Sequence, residues 1–149
     1  SRPVVRHQTG PAQLDAVREA YAKHQVAAQV DPFIDDMAQA LADCDVILCR
    51  AGAITVSELC AAGVPSLLVP LVLGTTSHQR DNAGYMVGQG AAVHLAQSAL
   101  TPPALAMQLK ALDRATLLAM AQRARALAMP HAAARVADEL DKLVQKAKR

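Results

Sequence analysis

A chain of 149 residues, 52% hydrophobic and 19% charged, holds enough apolar content for one folded domain and too much for a disordered segment. A net charge of +2 and only three aromatic residues, Tyr21, Phe33 and Tyr85, argue against a nucleic-acid partner, whether held by charge or by base stacking. No run approaches the roughly 20 apolar residues of a membrane span. Cys44, Cys49 and Cys60 form no CxxC pair and lack zinc-ligand spacing, so reduced, buried thiols are expected.

The chain opens at Ser1 almost directly on an apolar stretch, as expected of a piece of something longer. Residues 3–7 (PVVRH) read as a strand. Residues 13–23 place Leu14, Val17 and Tyr21 at helical spacing, and residues 25–30 form a second strand candidate. A short helix over 36–42 leads to a buried strand at 45–49 (DVILC). The helix over 55–62 is closed by Gly63, and residues 65–70 (PSLLVP) make another buried strand. A helix over 77–87 precedes a last strand at 91–95. Three helices follow, over 102–112, 115–128 and 131–146, opened by Pro102 and Pro103 and interrupted by Pro130. The final KLVQKAKR reads as a solvated helix end rather than a membrane anchor. Apolar strands alternating with helices predict an α/β fold: a doubly wound parallel sheet, Rossmann-like, with a helical C-terminal tail.

In open parallel sheets ligands sit beyond the carboxyl ends of the strands, so the loops after Val30, Cys49 and Pro70 are the places to search. The loop after Cys49 turns through small residues directly into a helix. Its free N–H groups and the positive helix end make an anion site, which Gly52 lets a phosphate approach and to which Arg50 adds charge. Glu58, about one turn on, can accept from two ribose hydroxyls; an ordinary turn with a surface Glu remains the alternative. The dinucleotide and P-loop fingerprints GxGxxG and GxxxxGK[ST] are absent. The loop after Val30 carries Phe33 and Ile34 ahead of a helix whose expected cap is Asp35; they form either a hydrophobic staple or an edge for a planar base. Asp35-Asp36 reads as a helix start rather than a metal site. The loop after Pro70 ends in a polar cluster, Thr75 to Asn82, suited to sugar hydroxyls or simply to a solvated helix start.

In order along the chain, FIDDM, CRAGAITVSE, AAGVPSLLVP and SHQRDNA resemble the C-terminal domain of the MurG family of bacterial N-acetylglucosaminyltransferases. RPVVRHQTG near the start and LLAMAQRARAL and AARVADEL near the end extend the resemblance over nearly the whole chain. The resemblance implies one half of a GT-B-type glycosyltransferase: residues 1–149 as a UDP-sugar-binding C-terminal domain. The N-terminal acceptor domain, and this domain's own first strand with its glycine-rich turn, are expected upstream. Phe33 and the Ile34 backbone would border uracil, with Met37 nearby. Gly52, Ala53 and Ile54 would present N–H groups to the diphosphate and sugar, and Glu58 would take the ribose hydroxyls. His78 and Gln79 would hold the N-acetylglucosamine hydroxyls, supported by Asn82, while Arg50 would either touch ligand or brace its turn.

The implied activity is an inverting, metal-independent transfer from UDP-N-acetylglucosamine, without cofactor, to the lipid-linked muramoyl-pentapeptide bound by the missing domain. The implied setting is the cytoplasmic face of the bacterial inner membrane, with peripheral association. None of His7, His24, His78, His94 or His131 is expected to be the catalytic base. Ala51 stands where the family commonly has Ser, and Thr76 and Ser77 stand where relatives often carry an acidic residue. Two other readings stay open: the donor subunit of a two-chain N-acetylglucosaminyltransferase, and a non-catalytic nucleotide-binding or assembly module. An exposed sheet edge in such a fragment is expected to promote self-association.

Overall fold

The computed structural model describes residues 2–72 and 77–147. Gly74, Thr75 and Thr76 of the polar loop, and the last two residues of KLVQKAKR, lie outside the described residues. The chain forms two compact units, Ser1–Ala40 and Leu41–Arg149, each with its own parallel sheet.

In the first unit, β1 (Val5–Gln8) pairs in parallel with β2 (Ala28–Asp31), with Gln8 opposite Asp31. Between them run a 3-10 turn (Pro11–Gln13) and helix α1 (Leu14–Lys23). The continuous apolar character expected of every strand does not hold for β1: Val5 and His7 are half-buried while Arg6 and Gln8 are exposed. This alternation is what a strand with one covered face requires. His7 faces the helix, its Nδ1 3.1 Å from the Tyr21 hydroxyl and the two rings meeting edge to face at 5.9 Å. Arg18 on α1 donates to the Val30 carbonyl at 3.1 Å. Beyond the strands the ladder continues, with Thr9 N–H to Asp31 O at 3.0 Å and Gly10 N–H to Pro32 O at 3.1 Å. Gly10 makes this possible at φ +75°, ψ 157°, a region essentially closed to other residues. Helix α2 (Met37–Ala42) is capped by Asp36, whose Oδ1 accepts from Gln39 N–H at 2.9 Å. The cap is therefore not the expected Asp35; a capping carboxylate accepts from an N–H two or three residues on, and of the two acids only Asp36 has that spacing to Gln39.

In the second unit the sheet order is β3 (Ile47–Cys49), β4 (Ser66–Leu68), β5 (Ala92–His94), all parallel, with Leu48, Leu67 and Val93 in register. Helix α3 (Ala53–Ala62) joins β3 to β4, and α4 (His78–Gly88) precedes β5. Every residue of β4 is buried, so this strand is covered on both faces as the apolar run PSLLVP demands. Leu59, Leu67, Leu68 and Met86 are the largest fully buried side chains. Ser66 lies among them, its hydroxyl without a hydrogen-bond partner among the described residues.

Helix α3 stops at Gly63, whose φ of +72° is left-handed and whose N–H bonds Leu59 O at 2.8 Å. A Cβ at Gly63 would lie 3.2 Å from the Cβ of Arg125 on α6 (Arg114–Ala126), so the bare glycine lets α6 pack against the end of α3. Thr101 caps α5 (Pro102–Ala111) through the Ala104 N–H, and Asp113 caps α6 through the Thr116 N–H. That bond holds the Asp113 carboxyl below its usual range. The three cysteines are free thiols; burial pushes all of them up, Cys49 to about 11. Helix α7 (Ala132–Ala147) is exposed along its described length, although Val136, Leu140, Leu143 and Val144 form an apolar stripe on it.

Candidate functional site

The strand ends of the second unit open on the N-terminus of α3, which starts at Ala53, two residues before its expected position. The earlier start makes Gly52 the N-cap and turns the amides of residues 53–55 into the first free donors of the helix. Among the described residues no side chain accepts from them at this cap. Ala53, Ile54 and Glu58 line a shallow open groove along the helix together with Ser57 and Ala61. Ile54 is 77% exposed, a large apolar side chain left to water at the mouth of the helix. Glu58 is exposed and makes no hydrogen bond or ion pair among the described residues.

Gly52 has φ −63° and ψ 151°, a conformation any residue adopts. A Cβ there would meet only Thr55 Oγ1, at 3.5 Å, an ordinary contact. The backbone therefore does not require glycine, and a methyl group here would meet no clash within the protein. Gly52→Ala is expected to melt at the wild-type temperature yet bind nucleotide about tenfold or more weakly, as one misplaced or lost hydrogen bond to a charged group would cost. Parallel thermal melts and calorimetric titrations check both halves, and unchanged affinity would move the diphosphate away from Gly52.

The turn before α3 is held from two sides. Arg50 Nη1 donates to Val69 O at 3.1 Å and to Gln97 Oε1 at 2.8 Å, so Arg50 braces its turn against the end of β4 and the 3-10 turn (Gln97–Ala99) after β5. Asn82 on α4 donates its amide to Ala51 O at 3.0 Å. The Asn82 side chain thus supports the turn that leads into α3. Gln79 accepts at Oε1 from Leu71 N–H, 2.8 Å, tying the first turn of α4 to the segment that leaves β4. His78 is the first residue of α4 and is exposed. Arg50, Gly52, Ala53, Ile54, Glu58, His78, Gln79 and Asn82 all belong to this unit and cluster on the ends of β3 and β4 and the helices that follow them. Gln97 was not legible as a participant: it lies 47 residues from Arg50 and carries no motif.

Phe33, Ile34 and Met37 belong to the first unit, in the loop after β2 and the first turn of α2. Phe33 is 65% exposed whereas Ile34 is buried. The staple reading would bury both, so the ring of Phe33 is presented to solvent and Ile34 alone anchors the loop. Gln8, at the end of β1, was missed because the strand was expected to stop at His7; its Oε1 accepts from Ile34 N–H at 3.0 Å. Among the described residues no three His, Cys, Asp or Glu side chains gather in a metal-binding arrangement.

Parallel strands joined through helices, with strand ends that meet a helix N-terminus, define a Rossmann-like fold. The chain belongs to the family described as the glycosyltransferase family 28 C-terminal domain, whose model matches residues 2–140. It is 63% identical over 147 residues to the UDP-N-acetylglucosamine–N-acetylmuramyl-(pentapeptide) pyrophosphoryl-undecaprenol N-acetylglucosamine transferase of Methylibium petroleiphilum, covering 97% of this chain and 40% of that protein. The enzyme of the same name from Chromobacterium violaceum is 60% identical over 139 residues, covering 92% of this chain and 39% of the relative. The crystal structure of Acinetobacter baumannii MurG superimposes with a TM-score of 0.86 at 40% identity, over 92% of this chain and 42% of that one. A glycosyltransferase of kitacinnamycin, at 20% identity and TM-score 0.65, shares the fold. The chain thus spans about 40% of the length of the curated relatives it matches. Among the described residues, no helix is long and apolar enough to cross a membrane.

Proposed function

We propose that this chain is the donor-binding half of a transferase that moves N-acetylglucosamine from UDP-N-acetylglucosamine to a lipid-linked muramoyl-pentapeptide. The observation that supports the reading is the start of α3, where a helix N-terminus without a side-chain cap and the Glu58 carboxylate, unpaired among the described residues, lie within about a turn and a half of each other, Ala53, Ile54 and Glu58 lining one groove. The amides suit a diphosphate and the carboxylate suits two neighbouring ribose hydroxyls. The names of the relatives from Methylibium petroleiphilum and Chromobacterium violaceum support the donor and the acceptor.

In the intact enzyme an acceptor hydroxyl oxygen bonds to C1 of the N-acetylglucosamine as the C1–O bond to UDP breaks. The hydroxyl proton passes to a base in the upstream part of the protein, and the sugar inverts. This chain's share is to bind UDP and to stabilise its growing charge through the amides of residues 53–55. His78 and the side-chain amide of Gln79 hold sugar hydroxyls, and Phe33, Ile34 and Met37 border the base. The enzyme works as a peripheral protein at the cytoplasmic face of the inner membrane, where a lipid-linked acceptor is reached.

Calorimetric titration of the chain with UDP-N-acetylglucosamine tests the reading, with UDP-glucose and added magnesium as comparisons. Saturable binding that prefers the N-acetylated sugar and is unchanged by magnesium is expected. A folded chain that binds neither sugar nucleotide, and still binds neither when the upstream segment is restored, would overturn it.

A further inference from the structure

Between β2 and α2 the chain is pinned residue by residue. Asp31 and Pro32 are held by the backbone donors of Thr9 and Gly10, and α2 is started by the Asp36 cap. Phe33 and Ile34 lie between these anchors, and among the described residues one side-chain hydrogen bond reaches their backbone: Ile34 N–H to Gln8 Oε1, 3.0 Å. Ile34 is buried, so its N–H needs a partner; Gln8 is exposed and supplies one from the end of the neighbouring strand.

The consequence is geometric. The Phe33–Ile34 peptide is planar and trans, so an N–H directed at Gln8 sends the Phe33 carbonyl the opposite way. One bond therefore sets both the direction of a backbone acceptor and the backbone from which the exposed Phe33 ring projects. Without that bond the peptide plane can rotate, exchanging donor for acceptor at the same place.

We infer that Gln8 is a positioning residue for pyrimidine discrimination: it fixes the Phe33–Ile34 peptide plane and so the hydrogen-bonding pattern that the loop offers a base. The inference rests on the proposed reading that Phe33 and Ile34 border the base of a uridine nucleotide. Uracil presents a carbonyl oxygen at C4 and an N–H at N3, whereas cytosine presents an amine at C4 and a bare nitrogen at N3. The two edges are the reverse of each other, so a fixed peptide plane distinguishes them and a freely rotating one does not.

The experiment compares wild type, Gln8→Ala and Gln8→Glu, the last keeping an acceptor oxygen at the same reach. Affinities for UDP and CDP are measured by calorimetry, and exchange of the Ile34 amide by NMR. Gln8→Ala is expected to bind UDP about tenfold more weakly, the worth of a lost bond to a buried donor. Its preference for UDP over CDP should fall by a similar factor, and its Ile34 amide should exchange faster. Gln8→Glu should restore all three. A role in folding alone would weaken UDP and CDP equally, and that outcome overturns the inference, as does an unchanged UDP:CDP ratio in Gln8→Ala. If the wild type binds no nucleoside diphosphate, or Phe33→Ala leaves UDP binding intact, the underlying reading of the loop fails instead. Amide exchange then reports separately whether Gln8 holds the peptide.

Discussion

Glu58→Ala is expected to weaken UDP-N-acetylglucosamine binding by about a hundredfold without changing the melting temperature. A carboxylate that accepts from two ribose hydroxyls makes charge-assisted bonds, each worth roughly 1.5–3 kcal/mol, and about 2.7 kcal/mol already corresponds to a hundredfold. The folded state loses little, because Glu58 is exposed, without partners among the described residues, and on the open face of α3. Glu58→Gln should fall between the two, since an amide keeps one acceptor and loses the charge. Calorimetry and a thermal melt on the same samples check the prediction. Equal affinity in all three proteins would take the ribose away from Glu58, whereas a lower melting temperature would give the residue a structural role.

The largest effect on stability is expected at the centre of the second sheet. Leu67 is fully buried in the middle strand, between Leu48 and Val93. Leu67→Ala removes its side chain from a strand whose neighbours cannot close in from either side, at a cost of about 3–4 kcal/mol. Against a typical total of about 5–15 kcal/mol, that is a large share of what holds a domain folded. Ser66, next along the same strand, gives the contrast. Its buried hydroxyl has no partner among the described residues, so Ser66→Ala should leave stability unchanged or raise it slightly. Urea unfolding followed by circular dichroism compares the two. A Leu67→Ala midpoint close to wild type would show that the sheet can collapse around the gap.

The order of strands and helices was legible because it depends on local patterns. The apolar run of β4, the helical spacing in α1 and the stop at Gly63 are all contained within a few residues. The loops that matter were also legible, since in a parallel sheet they must lie at the strands' carboxyl ends. What could not be read was which side chain reaches which backbone. Arg50 and Gln97 are 47 residues apart, Asn82 and Ala51 are 31 apart, and Ile34 and Gln8 are 26 apart. Each contact exists only because parallel pairing brings remote strand ends together, and no periodicity encodes that. The choice between Asp35 and Asp36 failed at a finer scale: the start of α2 moved by one residue, and with it the cap. The alternation along β1 was visible in Val5, Arg6, His7 and Gln8, but an apolar start to the segment concealed it.

Arg50 and Asn82 share a property that bears on how this domain tolerates change. Both fasten the turn before α3 through main-chain oxygens, those of Val69 and Ala51. Every amino acid carries that oxygen, so substitutions at positions 69 and 51 leave both bonds available as long as the new side chain fits. Ala51 is fully buried and has no hydroxyl, yet its carbonyl still receives the Asn82 amide. A Ser-to-Ala exchange at this position costs the turn neither fastening. The residues that do the fastening have no such latitude: leucine in place of Asn82, or lysine in place of Arg50, would lose a donor or its reach at once. Sequence drift in this region is therefore expected to be one-sided: at the held positions, both buried, any side chain that fits the space keeps the bond, whereas the positions that hold them admit few replacements.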